Sequence, residues 1–424
     1  SFTLPFSFVK EGNQWRISAA SDGIVLADQT FERIFRQYPL YFLDQQNQYF
    51  VPDMRWYPIG TASTRIVTAL LAGPPDWLKG AAFSRFPDGT KLSDAGSAVT
   101  PADGVAQVDL SKEALVASAR DRQNMYLQLA QSLRSVSSIS QVRLSIQGTP
   151  VQVDDLGTAG PQVDFSVDSQ ALVLRKNEFG FYANHRVADL AGISTKVLSL
   201  GARDAMISSD QQEVAVLGSA GVSIVRKTGA VALIDPRPDL IAPSLDEAGY
   251  TWSVPKSAPN AINVYDPAGT AHPISAKMQD GSQMISLSVS REGARVLMLL
   301  STPTGPRLMV AAILRNEKLE PIGIGPAIVD VSLGNGVAVD ATWVDQWTVG
   351  TLLTVEGQSR VELYAIGGQK TALSSLVVSR QIVGGNKGEN GLRVLGRDDS
   401  TLYSWGGSSW QSSKVTADFI ATQR

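Results

Sequence analysis

The chain reads as a multidomain protein in which an α+β module is followed by an all-β propeller, with a short β fragment ahead of both. Three observations carry this reading. Between Pro39 and Gly148, two segments of helical period lie among strand-like runs. Beyond about Val151 the helical period gives way to short strands punctuated by glycine and proline. In that second region, paired strands recur at intervals of roughly 38 to 56 residues, which brackets the ~40–50 residues of a propeller blade.

At the start, residues 3–9 and 14–17 are expected as two strands joined by the turn Lys10-Glu11-Gly12-Asn13. Two strands alone are marginal in water. In the α+β module, strands over residues 40–43 and 141–146 flank helices over residues 64–71 and 115–136, and helices packed on a sheet are the expected result. Ser111 is placed as the N-cap of the second helix and Glu113 as its first-turn acid.

The propeller units pair residues 205–208 with 213–217, 243–246 with 250–254, 285–289 with 295–300, 341–343 with 348–355, and 381–383 with 392–395. Residues 172–175 and 179–183 supply a sixth, incomplete unit. Six blades are therefore expected, with five and seven as the neighbouring counts. A blade buries its faces only against its neighbours, so the repeats must close on themselves. The domain limits follow as 1–36, 37–150, a linker over 151–160, and 161–424.

Composition narrows the function classes. Basic and acidic residues number 37 and 40, a balance with no single-signed field for nucleic acid or an anionic membrane surface. The absence of cysteine removes disulfides, thiolate nucleophiles and sulfur-ligated metal. No apolar run reaches the roughly 18 residues of a membrane helix. A lipoprotein carries its lipid on a cysteine behind a signal peptide, so such an anchor is expected to lie outside this chain.

Landmark residues bring a resemblance. Pro39-Leu40-Tyr41-Phe42-Leu43, Val51-Pro52 with Arg55, Leu70-Leu71-Ala72-Gly73-Pro74, Phe86-Pro87-Asp88-Gly89-Thr90, Val108-Asp109-Leu110-Ser111 and Val142-Arg143-Leu144-Ser145-Ile146 resemble a GerMN domain in order and spacing. The Phe-rich first strand followed by Gly12-Asn13-Gln14-Trp15-Arg16-Ile17 resembles the closing strands of an NTF2-like domain. Pro243-Ser244 with Gly249-Tyr250-Thr251-Trp252, the run from Val289-Ser290-Arg291-Glu292-Gly293 to Val296, and Trp405 near Trp410 resemble the propeller of the LpqB-type lipoproteins of actinobacteria. That family often has Asp where this chain has Glu292.

The resemblance implies a non-enzymatic protein tethered by lipid to the outer face of the cytoplasmic membrane. It also implies a partner, the extracytoplasmic domain of a sensor histidine kinase of the MtrAB two-component type, with effects on cell-envelope and division responses. Peptidoglycan or another cell-wall component is a second expected partner. A carbohydrate-binding or carbohydrate-cleaving protein using the propeller channel is the alternative, and a structural spacer without partners is a third reading.

The residues themselves carry little chemistry. His185 and His272 stand 87 positions apart with no metal-ligand spacing, and turn or blade-edge roles account for both. Gly323-Ile324-Gly325-Pro326 lacks the third glycine and crossover helix of a dinucleotide loop, and is expected to break a strand. The pairs Asp154-Asp155 and Asp398-Asp399 lie in turns, where adjacent side chains diverge, so neither makes a glycosidase pair. The stretch Gly384 to Gly391 holds one carboxylate, far from the roughly six to eight oxygens of a calcium site. No Gly-x-Ser-x-Gly elbow is present. Neither cofactor nor metal is expected.

What remains is surface. Arg55, Arg65 and Arg85 are candidates to converge on an anionic cell-wall fragment. Trp405 and Trp410, following the last strands, are candidates for an exposed aromatic face, whereas Trp252 and Trp343 stand inside strands and are expected to fill space between blades.

Overall fold

The structure is a computed structural model that describes residues 6–20, 26–153, 160–163, 167–385 and 388–424. The first residues of the expected opening strand, the Asp154-Asp155 pair with most of the expected linker, and residues 386–387 of the glycine-rich stretch lie outside the described residues.

The opening hairpin pairs Phe6–Glu11 with Gln14–Ala20 around Gly12, whose φ of 60° suits a two-residue turn. Phe8 lies opposite Ile17 and Lys10 opposite Trp15, so their side chains share one face. That face is open to solvent, with Trp15 68% exposed.

The α+β module begins with the helix Asp28–Ile34, whose Phe31 meets the rings of Phe35 and Trp56 at centroid distances of 4.9 Å. Strands Phe35–Leu43 and Phe50–Pro58 form an antiparallel hairpin. The helix Ala62–Leu71 follows, then strand Val105–Leu110, helix Ala119–Leu133 and strand Gln141–Ile146. The last two strands run parallel, as a helical crossover requires. Leu40, Phe42, Ile66, Leu70, Val108 and Met125 meet in one core.

The long helix also finishes the hairpin's edge. Ser132 Oγ accepts from Tyr41 N at 2.9 Å, and Gln128 Nε2 donates to Tyr41 O at 3.1 Å. Two buried polar side chains thus replace the neighbouring strand that an exposed edge would need.

One helix start differs from expectation. Ser111 opens only a short 3₁₀ turn, Lys112–Val116, and Ala117 is extended at φ −62° and ψ 134°. The cap is Ser118, whose Oγ accepts from Asp121 N at 3.1 Å, with Asp121 the first-turn acid. The apolar spacing runs through both segments and hides the break, because Ala114 of the turn is buried in the same core as Met125.

Among the described residues beyond 170, the strands form six sheets, each built mainly from strands consecutive in the chain. Their first strands touch in cyclic order, with the closing strand Phe419–Ile420 completing the circuit. That strand pairs antiparallel with Ala171–Arg175 of the first blade, and Thr422–Gln423 runs parallel to Asp204–Ile207 of the second. The first blade, short of a strand in sequence, is therefore finished by residues from the other end of the chain. Core clusters sit between successive blades. Gly221 is required between strands Glu213–Gly218 and Gly221–Arg226, since a Cβ there would lie 2.1 Å from Asp235 O.

The fourth blade corrects another expectation. Gly323 to Pro326 do not interrupt a strand but lie within Pro321–Ser332, which pairs along Gly305–Arg315 with several register shifts. Bulges absorb the glycines and proline, and they do so on an outer strand, where an edge tolerates missing ladder bonds.

Candidate functional site

A set of charged groups lies where the α+β module sits on the propeller. The loop between strands Phe35–Leu43 and Phe50–Pro58 reaches down to the third and fourth blades. Asp44 Oδ1 shapes that loop by accepting from Gln48 N at 2.7 Å and Tyr49 N at 2.8 Å. Arg85 braces it, donating to Asn47 Oδ1 and to the carbonyls of Asp44 and Gln45, with its guanidinium 5.5 Å from the Phe83 ring centroid. Tyr49 then donates to Glu247 Oε1 at 3.1 Å, and Gln45 Nε2 to Asn316 O at 3.2 Å. Burial and the Glu247 carboxylate together hold the Tyr49 phenol far above its ordinary range.

Farther along, Trp56 Nε1 donates to Gly367 O at 2.8 Å and Gln37 Nε2 to Ile366 O at 3.2 Å, on the fifth blade. Ala294 and Ala312 of the fourth blade are part of the module's own core. The seam is therefore continuous packing rather than a flexible joint. Gly367 has φ 70°, and a Cβ there would stand 2.9 Å from Met54 O. A Gly367→Val variant is expected to lose about 1–3 kcal/mol and to release the α+β module as a separately cleaved fragment in limited proteolysis. An unchanged digestion pattern would show that the seam does not depend on this approach.

Beneath the seam lies a set of buried ion pairs. Asp246 Oδ1 accepts from Ala248 N and Tyr250 N, while Oδ2 accepts from Trp252 Nε1 at 3.1 Å and Arg315 Nη2 at 2.7 Å. Glu292 Oε1 accepts from Ser290 Oγ and from Arg295 Nε at 2.6 Å, and the Arg295 guanidinium lies 4.9 Å from the Trp343 ring centroid. Arg424, 3% exposed, places Nε 2.9 Å from Glu247 Oε2, an ion-pair contact without hydrogen-bond alignment, and Nη2 donates to Arg291 O. Each carboxylate of this set has a hydrogen-bond or ion-pair partner, which suits a structural joint. The cavity between Asp44, Tyr49, Glu247 and Arg315 holds only about 50 Å³ of free space, room for a few waters and well below the ~300 Å³ of a small-molecule site.

The second concentration of polar groups lies in the propeller channel. Asp204 and Asp340 stand at the first strands of the second and fifth blades, opposite one another in a ring of six. They are partly open to the channel yet ringed by protein. Burial raises Asp204 to about 7, with the facing Asp340 adding to the rise, and burial raises Asp340 to about 6.

The expected surface residues disperse. Arg55 pairs with Asp53 at 2.6 Å, and Asp53 Oδ1 accepts from Trp77 Nε1. Arg55 and the exposed Arg65 both act on the Tyr57 phenol, whereas Arg85 is committed to the seam loop. Three arginines therefore do not converge. Trp405, expected near the surface, is 7% exposed and packs edge-on against Trp410 at 5.2 Å. Trp410 Nε1 donates to Ser374 O. Both tryptophans fill the space between the fifth and sixth blades, because the outer strand Trp410–Thr416 folds the second ring back over the first.

Other candidates fall into local roles. His185 sits at φ 64° in the hairpin between Glu178–Ala183 and Arg186–Asp189. His272 Nε2 lies 3.5 Å from Asp266 Oδ2. Asp399 accepts from Thr401 N and Tyr403 OH within its turn, which hold its carboxyl below the usual range. No three metal-ligating side chains meet among the described residues.

The channel acids had a readable signal. Each precedes alanine at a blade start, Asp204-Ala205 and Asp340-Ala341; the repeat anchors, starting at the alanines, fall one residue past them.

Comparison with known proteins agrees with this architecture. The family model described as "Lipoprotein LpqB beta-propeller domain" matches residues 179–418, more than half of the chain. The chain belongs to the LpqB lipoprotein propeller family. A second model, "Sporulation and spore germination", matches residues 39–152, the GerMN module of this LpqB-family chain. Lipoprotein LpqB of Thermobifida fusca is 28% identical over 266 residues, covering 58% of this chain and 39% of the relative. That of Bifidobacterium longum is 23% identical over 374 residues, covering 84% and 60%. The matched part thus spans less than two thirds of either relative. The first GerMN domain of the sporulation protein GerM from Bacillus subtilis aligns at 23% identity over 30% of this chain and 92% of that domain, with a TM-score of 0.23.

Proposed function

We propose that this chain is the docking body of a non-enzymatic lipoprotein held by its lipid at the outer face of the cytoplasmic membrane. Its partner is the extracytoplasmic domain of a sensor histidine kinase of the MtrAB two-component type, whose envelope and division responses it modulates. The hairpin at residues 6–20 is read as the tail of an NTF2-like domain. One observation carries the reading: the seam made by Gln37, Gln45, Tyr49 and Trp56 fastens the GerMN module to three blades, presenting two domains as one rigid surface. Rigid surfaces lose little entropy on association, and a standard interface of about 1,600 Å² needs shape rather than reactive groups. Membership of the LpqB family and the occupied carboxylates support the same reading.

Titration calorimetry of the chain with the sensor's extracytoplasmic domain tests it. Saturable binding is expected, weakened by Gly367→Val, which loosens the seam. Absence of heat and of retention in a pull-down at high micromolar concentration would remove the proposal.

A second reading has one observation in its favour. A polar cleft of about 440 Å³ lies between the second and third blades, walled by Ser208, Asp210, Gln212, Arg226 and Thr228. Its size suits a saccharide. Incubation with muropeptides, read by mass spectrometry, separates the two readings, since turnover favours a carbohydrate-active protein.

A further inference from the structure

Arg424 ties the strand that closes the ring to three blades at once. Its backbone N–H donates to Ile207 O of the second blade at 3.2 Å, its Nη2 donates to Arg291 O of the fourth at 3.1 Å, and its Nε lies 2.9 Å from Glu247 Oε2 of the third. The Arg424 side chain is only 2% exposed, and a cation so buried is costly unless a carboxylate stands beside it. Three acids act on it, Glu247, Asp246 and Glu292. Asp246 is already bonded to Arg315, and Glu292 to Arg295. Glu247 is therefore its counterion.

What holds Glu247 in that position comes from the other domain. Its Oε1 accepts from Tyr49 OH of the GerMN loop at 3.1 Å, and the next donor, Ser209 Oγ, stands at 3.5 Å. Glu247 lines both the small seam cavity and the open cleft between the second and third blades, and its side chain is 21% exposed. Water in the cleft competes with Arg424 for this carboxylate. The Tyr49 hydroxyl opposes that exchange.

We propose that Glu247 couples the seating of the GerMN module to the closure of the propeller: Tyr49 holds the carboxylate against Arg424, and withdrawal of Tyr49 loosens the closing strand.

Once Tyr49 leaves, the carboxylate turns toward the cleft, and Arg424 becomes a buried charge with weaker compensation. The closing strand then opens more often. Such coupling is reciprocal, so an open strand also weakens the hold of the module at Tyr49. The other fastenings of the seam stand outside it, because Trp56, Gln37 and Gln45 end on the carbonyls of Gly367, Ile366 and Asn316. Breaking one of those leaves the counterion of Arg424 in place.

The test uses the whole chain, with amide hydrogen exchange read by mass spectrometry on the peptide that carries residues 419–424. Tyr49→Phe removes one hydroxyl and is expected to accelerate exchange there about tenfold. Trp56→Phe, which removes one hydrogen bond of the seam at the fifth blade, should leave that peptide within about twofold of wild type. In an Arg424→Gln background the closing strand no longer needs a counterion, so Tyr49→Phe should add little. Should Arg424→Gln fold poorly, Glu247→Gln serves as the background, since its amide keeps an acceptor for Tyr49 but carries no charge. Unchanged exchange in Tyr49→Phe, equal acceleration in Trp56→Phe, or a full Tyr49→Phe effect in the uncharged background would overturn the coupling.

Discussion

Deleting residues 419–424 is expected to unfold the propeller as a cooperative unit. Phe419 and Ile420 are 2% and 1% exposed, so their removal alone forfeits roughly 1.5–3 kcal/mol each of apolar burial. The deletion also removes the donors of two carbonyls, Leu172 O of the first blade, which accepts from Ala421 N, and Ile207 O of the second, which accepts from Arg424 N. Gln381 loses Ile420 N and Glu247 loses the Arg424 guanidinium. The sum exceeds about 5 kcal/mol, a large part of the ~5–15 kcal/mol that holds a whole domain together. Circular dichroism and calorimetry should show the propeller transition lost while the GerMN module keeps its helical signal. A truncated chain with an unchanged midpoint would mean that the ring is closed by blade packing and not by this strand.

The second large effect is expected at Asp246. Its carboxylate is fully buried and satisfies four donors, two backbone N–H groups that form the turn, the Trp252 indole and the Arg315 guanidinium. Asp246→Ala leaves the Arg315 charge and the Trp252 N–H without their acceptor, and removing one partner of a buried pair costs about 3–5 kcal/mol. Arg315 also donates to Leu319 O and Gly293 O, so part of its hydration is already replaced and the cost belongs at the lower end. Asp246→Asn keeps the turn but not the charge, and should fall between the two. Urea unfolding separates these outcomes. An Asp246→Ala chain within about 0.5 kcal/mol of wild type would show that water reaches Arg315.

Local chemistry accounts for the parts of this protein that were legible beforehand. The helix Ala62–Leu71 announces itself because Ile66, Val67 and Leu70 line one side of a single continuous segment. The long helix was legible only in part, since its apolar spacing continues through a 3₁₀ turn and a separate cap at Ser118. The tryptophan pair shows the limit more sharply. Nothing local distinguishes Trp410 from an exposed aromatic, and its place is set by Ser374, 36 positions away on a neighbouring blade. The three arginines fail for the same reason. Arg85 is drawn into the seam by a loop that only the propeller's position explains, while Arg55 and Arg65 stay beside Tyr57.

Strand and helix character, the change from one domain type to the next, and the poverty of reactive groups were all written into composition and spacing, because each depends on neighbours along the chain. Ring closure, the buried ion pairs at the seam and the facing acids of the channel arose only on folding. They join residues from separate blades, or from opposite ends of the molecule, and their energies exist only once burial has removed the water that would otherwise satisfy each group alone.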